Sequence, residues 1–123
     1  MSWVLAPSAL IDACGHVAPE LGLSPKASAT ALRIAMREAD HLSDDVYDVP
    51  GAVLFALGRT PRCFAAFRSM SVLATQWQAK ALGFKLEATP LELASILGRV
   101  ARGEMDYAAV RAWMAERLLP FGG

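Results

Sequence analysis

The chain has 123 residues, 54% of them hydrophobic, and its twelve Lys and Arg residues balance twelve Asp and Glu residues. A chain of this length can bury a core without disulfides or metal ions, so we predict a single domain over residues 1–123. The balanced charge argues against a general attraction to nucleic acid or to an anionic membrane. The longest stretch without a charged residue has eleven residues, whereas a membrane-spanning helix needs about 20. We therefore expect neither a nucleic-acid nor a membrane partner.

The start of the chain, Met-Ser-Trp, lacks the basic segment and the long apolar segment of a secretion signal. We therefore predict a cytoplasmic protein. Thiols are kept reduced in that compartment, so we expect Cys14 and Cys63 to be free.

The first third of the chain has the signals of two helices. The first is predicted over Ser8–Ala18 and is closed by Pro19 and a Leu-Gly-Leu turn. Ser24 followed by Pro25 is a good start for the second, because serine caps helices and proline is favoured at the first helical position. Apolar residues then recur at intervals of three and four, namely Leu32, Ala35, Met36 and Ala39.

Two apolar segments follow. Pro50–Leu57, which ends at Gly58, is too short for periodicity to distinguish a buried strand from a buried helix. We predict a helix because the segments around it are helical. Phe64–Leu82 is apolar nearly all round and ends at Gly83, which is a common C-terminal stop. A helix of that kind is typical of the centre of a bundle.

The last third of the chain has two more helix starts. Residues 89–92, Thr-Pro-Leu-Glu, form a capping box with proline at the first helical position, and this helix is predicted to end at Gly103. Asp106 is a helix cap. The apolar stripe that follows it consists of Tyr107, Val110, Trp113, Met114 and Leu118. No internal repeat or β-hairpin is evident, so we predict an all-α fold, a compact bundle of about six helices around a central apolar helix.

Two groups of side chains were candidates for metal binding. The first group has the number of ligands of a structural zinc site and consists of Cys14, His16, His41 and Cys63. Zinc ligands usually form pairs two to four residues apart on a turn, whereas Cys14 and His16 lie on one helix and point to different faces. The second group is an acidic loop made of Asp40, Asp44, Asp45 and Asp48. It lacks the glycine and terminal glutamate of a calcium loop, so we predict that it faces water and that the chain holds no metal.

Aromatic residues near the predicted central helix allow two interpretations, a groove for a partner or part of the core. They are Phe64, Phe67, Trp77 and Phe84. The spacing of three between Phe64 and Phe67 places them on one helix face. The core interpretation is therefore favoured.

The segment RTPRCFAAFRSM, residues 59–70, places three arginines around the start of the predicted central helix. They are Arg59, Arg62 and Arg68. The first backbone N–H groups of a helix and its dipole attract anions, so these arginines are a candidate anion or nucleotide site. The alternative interpretation, which we favour, is that these arginines face water or pair with the acidic loop. Exposed ion pairs of this kind are weak.

The run ALGRTPRCFAAFRSMSVLATQWQAKALG, residues 56–83, resembles without a gap the central segment of the Fic/Doc family, named for filamentation-induced-by-cAMP and death-on-curing proteins. That segment has an Ala-Leu-Ala-Arg lead-in, the loop HPFxDGNKR and a long apolar helix. Residues 88–92, residues 102–105 and Trp113 are similar to the helix start, the short turn and the final helix of the Doc branch. Residues 44–48 also look like the Doc pattern.

The resemblance assigns the family's motif residues to positions where this chain has other side chains. The histidine falls on Pro61, the proline on Arg62, the phenylalanine on Cys63, the acidic residue on Ala65, the glycine on Ala66, the asparagine on Phe67, the lysine on Arg68 and the arginine on Ser69. Only Arg68 keeps the chemical character of its counterpart. In active members the histidine serves as general base and the acidic residue holds magnesium on the triphosphate.

The resemblance implies three hypotheses about function. The first is a degenerate Fic/Doc-like protein without nucleotidyl or phosphoryl transfer, which binds a protein partner such as an antitoxin or a target in a toxin–antitoxin or phage-related system, with a homodimer as one arrangement and no cofactor. The second is an active transferase that modifies a protein hydroxyl with a nucleoside triphosphate and magnesium through rewired residues. The third is a helical interaction or regulatory protein without this ancestry.

Overall fold

The structure is a computed structural model that describes residues 2–120. Its elements, in chain order, are α1 (Pro7–Glu20), α2 (Ala29–Leu42), α3 (Val49–Arg59), α4 (Phe67–Ala81), β1 (Phe84–Leu86), α5 (Pro90–Ala101), α6 (Tyr107–Ala115) and β2 (Leu118–Pro120). One-turn 3₁₀ helices precede α3 at Val46–Asp48 and follow it at Pro61–Cys63. The predicted all-α bundle of six helices is confirmed, and none of the helices in this part of the chain is long and apolar enough to cross a membrane.

The central element is α3 rather than the predicted helix that begins at Phe64. Every residue of α3 from Val49 to Gly58 is buried, and α2, α4, α5 and α6 all pack against it. Gly58 allows the closest of these approaches, because a Cβ at that position would lie 2.7 Å from Cγ1 of Val100 on α5. The short apolar run was therefore correctly predicted as a helix, but its central position was not.

The helix α4 is shorter and less apolar than predicted. It begins at Phe67, and Phe64 lies in extended backbone before it. Its inner face carries buried polar side chains, among which Gln78 accepts a hydrogen bond from the backbone of Leu5 at 2.8 Å and donates one to the carbonyl of Trp3 at 3.0 Å. These bonds attach the N-terminal segment to α4, so this helix supports the bundle from one side.

The start of α2 was predicted wrongly. Ser24 and Pro25 lie in a non-helical segment, and the helix begins at Ala29 with the Ser28 side chain accepting from the backbone of Ala31 at 3.1 Å. The backbone of the segment before α2 instead forms hydrogen bonds with the loop between α3 and α4. A tertiary pairing therefore overrides a local helix signal.

The two strands were not predicted. Leu118 was expected on the last helix, but α6 ends at Ala115 and Leu118 belongs to β2, which pairs antiparallel with β1. In this register Lys85 lies opposite Leu119. The strands are more than thirty residues apart along the chain, so no hairpin turn marks them, and their pairing joins the end of the described chain to the end of α4.

Candidate functional site

The candidate segment, residues 59–70, contains a loop at residues 60–66 that connects α3 to α4. Pro61 opens a 3₁₀ turn, and Cys63 and Phe64 follow with 0% and 2% of their surface exposed. Pro61 and Ala65 are exposed, but neither carries a group that could transfer a proton or bind a metal. The interior side chains of this loop therefore pack, and Arg62 is the exposed residue of the loop that carries a charge.

Backbone hydrogen bonds fix the loop against the segment before α2. The N–H of Ser28 donates to the carbonyl of Cys63 at 2.8 Å, and the N–H of Ala65 donates to the carbonyl of Lys26 at 3.0 Å. Ala27 and Phe64 form an isolated antiparallel bridge between these bonds. The N–H of Ala65 is therefore already paired and does not point to an anion.

The start of α4 lacks the left-handed backbone that is common in phosphate nests. Ala66 is the residue before the helix, and no side chain caps it. Nests of successive N–H groups commonly alternate right- and left-handed backbone. Across residues 2–120 the left-handed conformation occurs at Gly22, Gly83 and Gly103, all outside this loop. This loop therefore lacks both the glycine and asparagine of the family motif and the left-handed backbone conformation that a glycine permits.

The three arginines lie in different surroundings. Arg59 is 3.7 Å from Glu38 and its guanidinium lies 5.6 Å from the centre of the Phe55 ring, so it does not pair with the acidic loop. Arg62 lines a cavity of about 320 Å³ together with Lys26. Arg68 lines a separate groove between α4 and α5. The structure therefore does not bring the three together around one cavity.

Neither cysteine is set up as a nucleophile. Burial raises the pKa of the Cys63 thiol to about 11, although the Arg62 charge opposes this rise. Burial also raises the pKa of Cys14, whose Sγ donates to the carbonyl of Pro25 at 3.6 Å. Both thiols are free, as predicted. A thiol reacts as its thiolate, so at neutral pH both remain packing groups.

The central carboxylate of the acidic loop, that of Asp48, has a structural role. Asp48, predicted to face water, is 6% exposed and accepts hydrogen bonds from the N–H groups of Asp44 and Asp45 at 3.0 and 3.3 Å. Its other oxygen accepts from Nε of Arg111 on α6 at 2.8 Å. This carboxylate joins the entry of α3 to α6. Within the described part of the chain, no three His, Cys, Asp or Glu residues are arranged to hold a metal ion.

The aromatic residues divide between the core and its edge. Phe64 and Phe84 are buried, as the core interpretation predicted. Phe67 and Trp77 are partly buried and pack against that core. Phe64 lines the cavity beside Arg62, whereas Trp77 lines a different hollow beside Leu5 and Leu10, so the four aromatic residues do not line one groove.

A groove does lie between α4 and α5, and the sequence analysis missed it. Its volume is about 300 Å³, and its walls include Val72 and Leu73 of α4 and Leu91 of α5, with Leu21 at one end. Leu91 is 83% exposed and Leu21 is 55% exposed, so both offer apolar surface at this groove. The sequence did contain a signal for this groove, because Leu91 in the capping box lies outside the apolar stripe of α5.

Comparison of the chain with protein-family models and with curated proteins finds no match. The resemblance to the Fic/Doc family therefore stays a hypothesis based on the spacing of residues 56–83.

Proposed function

We propose that this chain acts by binding a protein partner and does not transfer nucleotidyl or phosphoryl groups. The observation that carries the proposal is the state of the loop at residues 60–66. Its interior side chains, Cys63 and Phe64, are buried, and the N–H of Ala65 already donates to Lys26. This N–H is therefore not free to bind a phosphate oxygen.

The missing groups also have no local substitute. A general base contributes about 10²- to 10⁴-fold to a proton-transfer step, and Pro61 has no acid–base group. Magnesium on a triphosphate is held by a carboxylate in the resembled family, and Ala65 offers none. Two carboxylates of the preceding segments are already engaged, because Asp48 pairs with Arg111 and Glu38 with Arg59.

Binding needs an exposed apolar surface, and the chain offers one. Leu21 and Leu91 remain exposed beside the groove between α4 and α5. Exposed apolar patches of this kind often mark sites of protein association. The setting that the resemblance implies is a bacterial toxin–antitoxin or phage-related system in the cytoplasm, in which the partner is an antitoxin or a target.

One observation favours the transferase alternative. Lys26 and Arg62 both line the cavity of about 320 Å³ beside the loop, and two cations in a cavity attract phosphate groups. A rewired site for a nucleoside triphosphate and magnesium would use this cavity.

Thermal unfolding of the purified chain with a panel of nucleoside triphosphates, with and without magnesium, separates the two functions. A ligand at 100 times its Kd stabilises by about 2.7 kcal/mol, which raises Tm by several degrees in a domain of this size. We expect no shift. A magnesium-dependent shift that Arg62→Ala removes and Arg59→Ala keeps would favour the transferase and end the binding proposal.

The test of partner binding needs a defined complex. We expect the tagged chain, isolated from its own cells, to carry a protein in fixed stoichiometry that re-forms the complex from two purified components. A complex that forms only with nucleotide present would count against the proposal.

A further inference from the structure

We propose that the groove between α4 and α5 binds an amphipathic helix of the partner that carries an apolar ridge and at least one carboxylate. This inference rests on the proposed function and adds the place and the chemistry of recognition. It follows from the shape, the exposure and the charge of the groove.

The shape fits a helix. The hollow that holds Leu91 and Leu73 continues into a second hollow of about 280 Å³, which shares Arg68, Leu91 and Ala94 with the first. The second hollow ends at Arg102. Along α5, residues 91–101 rise by about 15 Å, so the α5 side of the two hollows matches about three turns of a docked helix, and α4 lines the second hollow through Arg68.

The floor of the groove allows close approach. Ala94, Ser95 and Gly98 line its α5 side between Leu91 and Arg102. At Ala94 and Ser95 the small side chains let a second helix come near the backbone, whereas the Arg102 guanidinium lies over Gly98, 3.2 Å from the position of an added Cβ. The bulk of Leu91 and Leu21 at one end then offers contacts for an apolar ridge with side chains at i, i+4 and i+7.

The charge selects an acidic partner. Arg68 lines both hollows and Arg102 closes the far end, whereas no Asp or Glu of residues 2–120 lines either one. Arg68 makes no ion pair with any residue in that range, while Arg102 bonds Glu104. An arginine with no internal partner beside an apolar surface is complementary to a carboxylate.

The test uses displayed random peptides of about 16 residues, enough for four helical turns, selected on the immobilised full chain. We expect the recovered peptides to combine apolar residues at helical spacing with Asp or Glu. Their affinity should fall by about tenfold or more on Leu91→Asp and on Arg68→Glu. Peptides whose carboxylates are changed to lysine should bind Arg68→Glu better than the wild-type chain.

The matched control is Ile34→Asp, an exposed apolar residue of α2 outside the groove, which should change affinity by less than about twofold. Recovery of no peptides, of basic peptides, or of peptides that respond to Ile34→Asp and not to Leu91→Asp would overturn the groove proposal. A homodimer that Leu91→Asp dissociates would overturn it too, because a second copy would then be the occupant. None of these results affects the nucleotide assay, so failure of the groove and failure of the proposed function remain separate.

Discussion

The loop at residues 60–66 and the groove between α4 and α5 lie on either side of the start of α4, yet they use their side chains in opposite ways. The loop buries Cys63 and Phe64 and pairs its backbone with the segment before α2. The groove leaves Leu91 83% exposed and Arg68 without an ion pair to the residues described. Sequence motifs predict a site in the loop, whereas the exposure of side chains indicates a site in the groove.

The difference teaches where the effect of a substitution should appear. Buried side chains that are tied by hydrogen bonds contribute to stability, and removing them leaves cavities or unpaired groups. Exposed side chains contribute little to stability and are free to contribute to binding. Substitutions in the loop should therefore change the free energy of unfolding, and substitutions in the groove should change the affinity for a partner.

The largest effect is expected from Phe64→Ala in the loop. Phe64 is 2% exposed, so truncation should cost about 3–5 kcal/mol of unfolding free energy through lost burial and a cavity. Urea denaturation measures it. The control is Phe67→Ala, three residues later but only partly buried, which should cost clearly less. Equal costs would show that the loop is not packed as described.

The next effect is a loss of stability at alkaline pH through Cys63. Its pKa is raised from the ordinary 9.0 to about 11 in the folded chain, so the protonated thiol is favoured by folding. This contribution is complete below pH 9 and is lost as the pH rises through 11. It amounts to about 2–3 kcal/mol. Urea denaturation at pH 8 and pH 10.5 should show a smaller decrease for Cys63→Ala than for the wild type, and parallel decreases would contradict the burial of this thiol.

A smaller effect is expected from Thr89→Ala at the start of α5, the second wall of the groove. Thr89 accepts from the N–H of Glu92 at 3.1 Å and its own N–H donates to that carboxylate at 3.0 Å. Loss of the cap should cost about 1 kcal/mol by chemical denaturation. Ser95→Ala, exposed on the same helix, is the control.

The same cap predicts a pH dependence of opposite sign to that of Cys63. The hydrogen bond from the Thr89 backbone lowers the pKa of Glu92 below its ordinary 4.5. The stabilisation is therefore present above that value and is lost as the pH falls through the folded-state pKa. Thr89→Ala keeps this N–H, so the test uses Glu92→Ala: the stability difference between Glu92→Ala and the wild type should shrink in acid, and a difference that grows would exclude the capping box as its cause.

The smallest stability effect is expected from Leu91→Asp in the groove. Leu91 is exposed and lies in the first turn of α5, where an acidic residue favours the helix dipole. The free energy of unfolding should change by less than about 0.5 kcal/mol. A loss as large as that of Phe64→Ala, measured in the same urea experiment, would mean that Leu91 packs internally and would remove the contrast between the two regions.

Much of the fold followed from local signals. The caps at Thr89 and Asp106 and the glycine after α4 were read correctly, because capping is decided by the few residues around a helix end. The apolar stripe of α2 is buried as its spacing indicated. Neither the function nor the Fic/Doc resemblance could be judged in this way, since the motif positions that would decide it carry other residues.

The sequence by itself determined the six helices and most of their ends, because these depend on short-range spacing, caps and burial of apolar residues. Only the tertiary structure decided that α3 is central, that the segment from Ser24 to Ser28 pairs with the loop, and that Leu118 joins a strand. Each of these depends on contacts between segments far apart in the chain. The groove between α4 and α5 belongs to the same class, because Leu91 has meaning as a binding residue only once its helix lies beside Arg68.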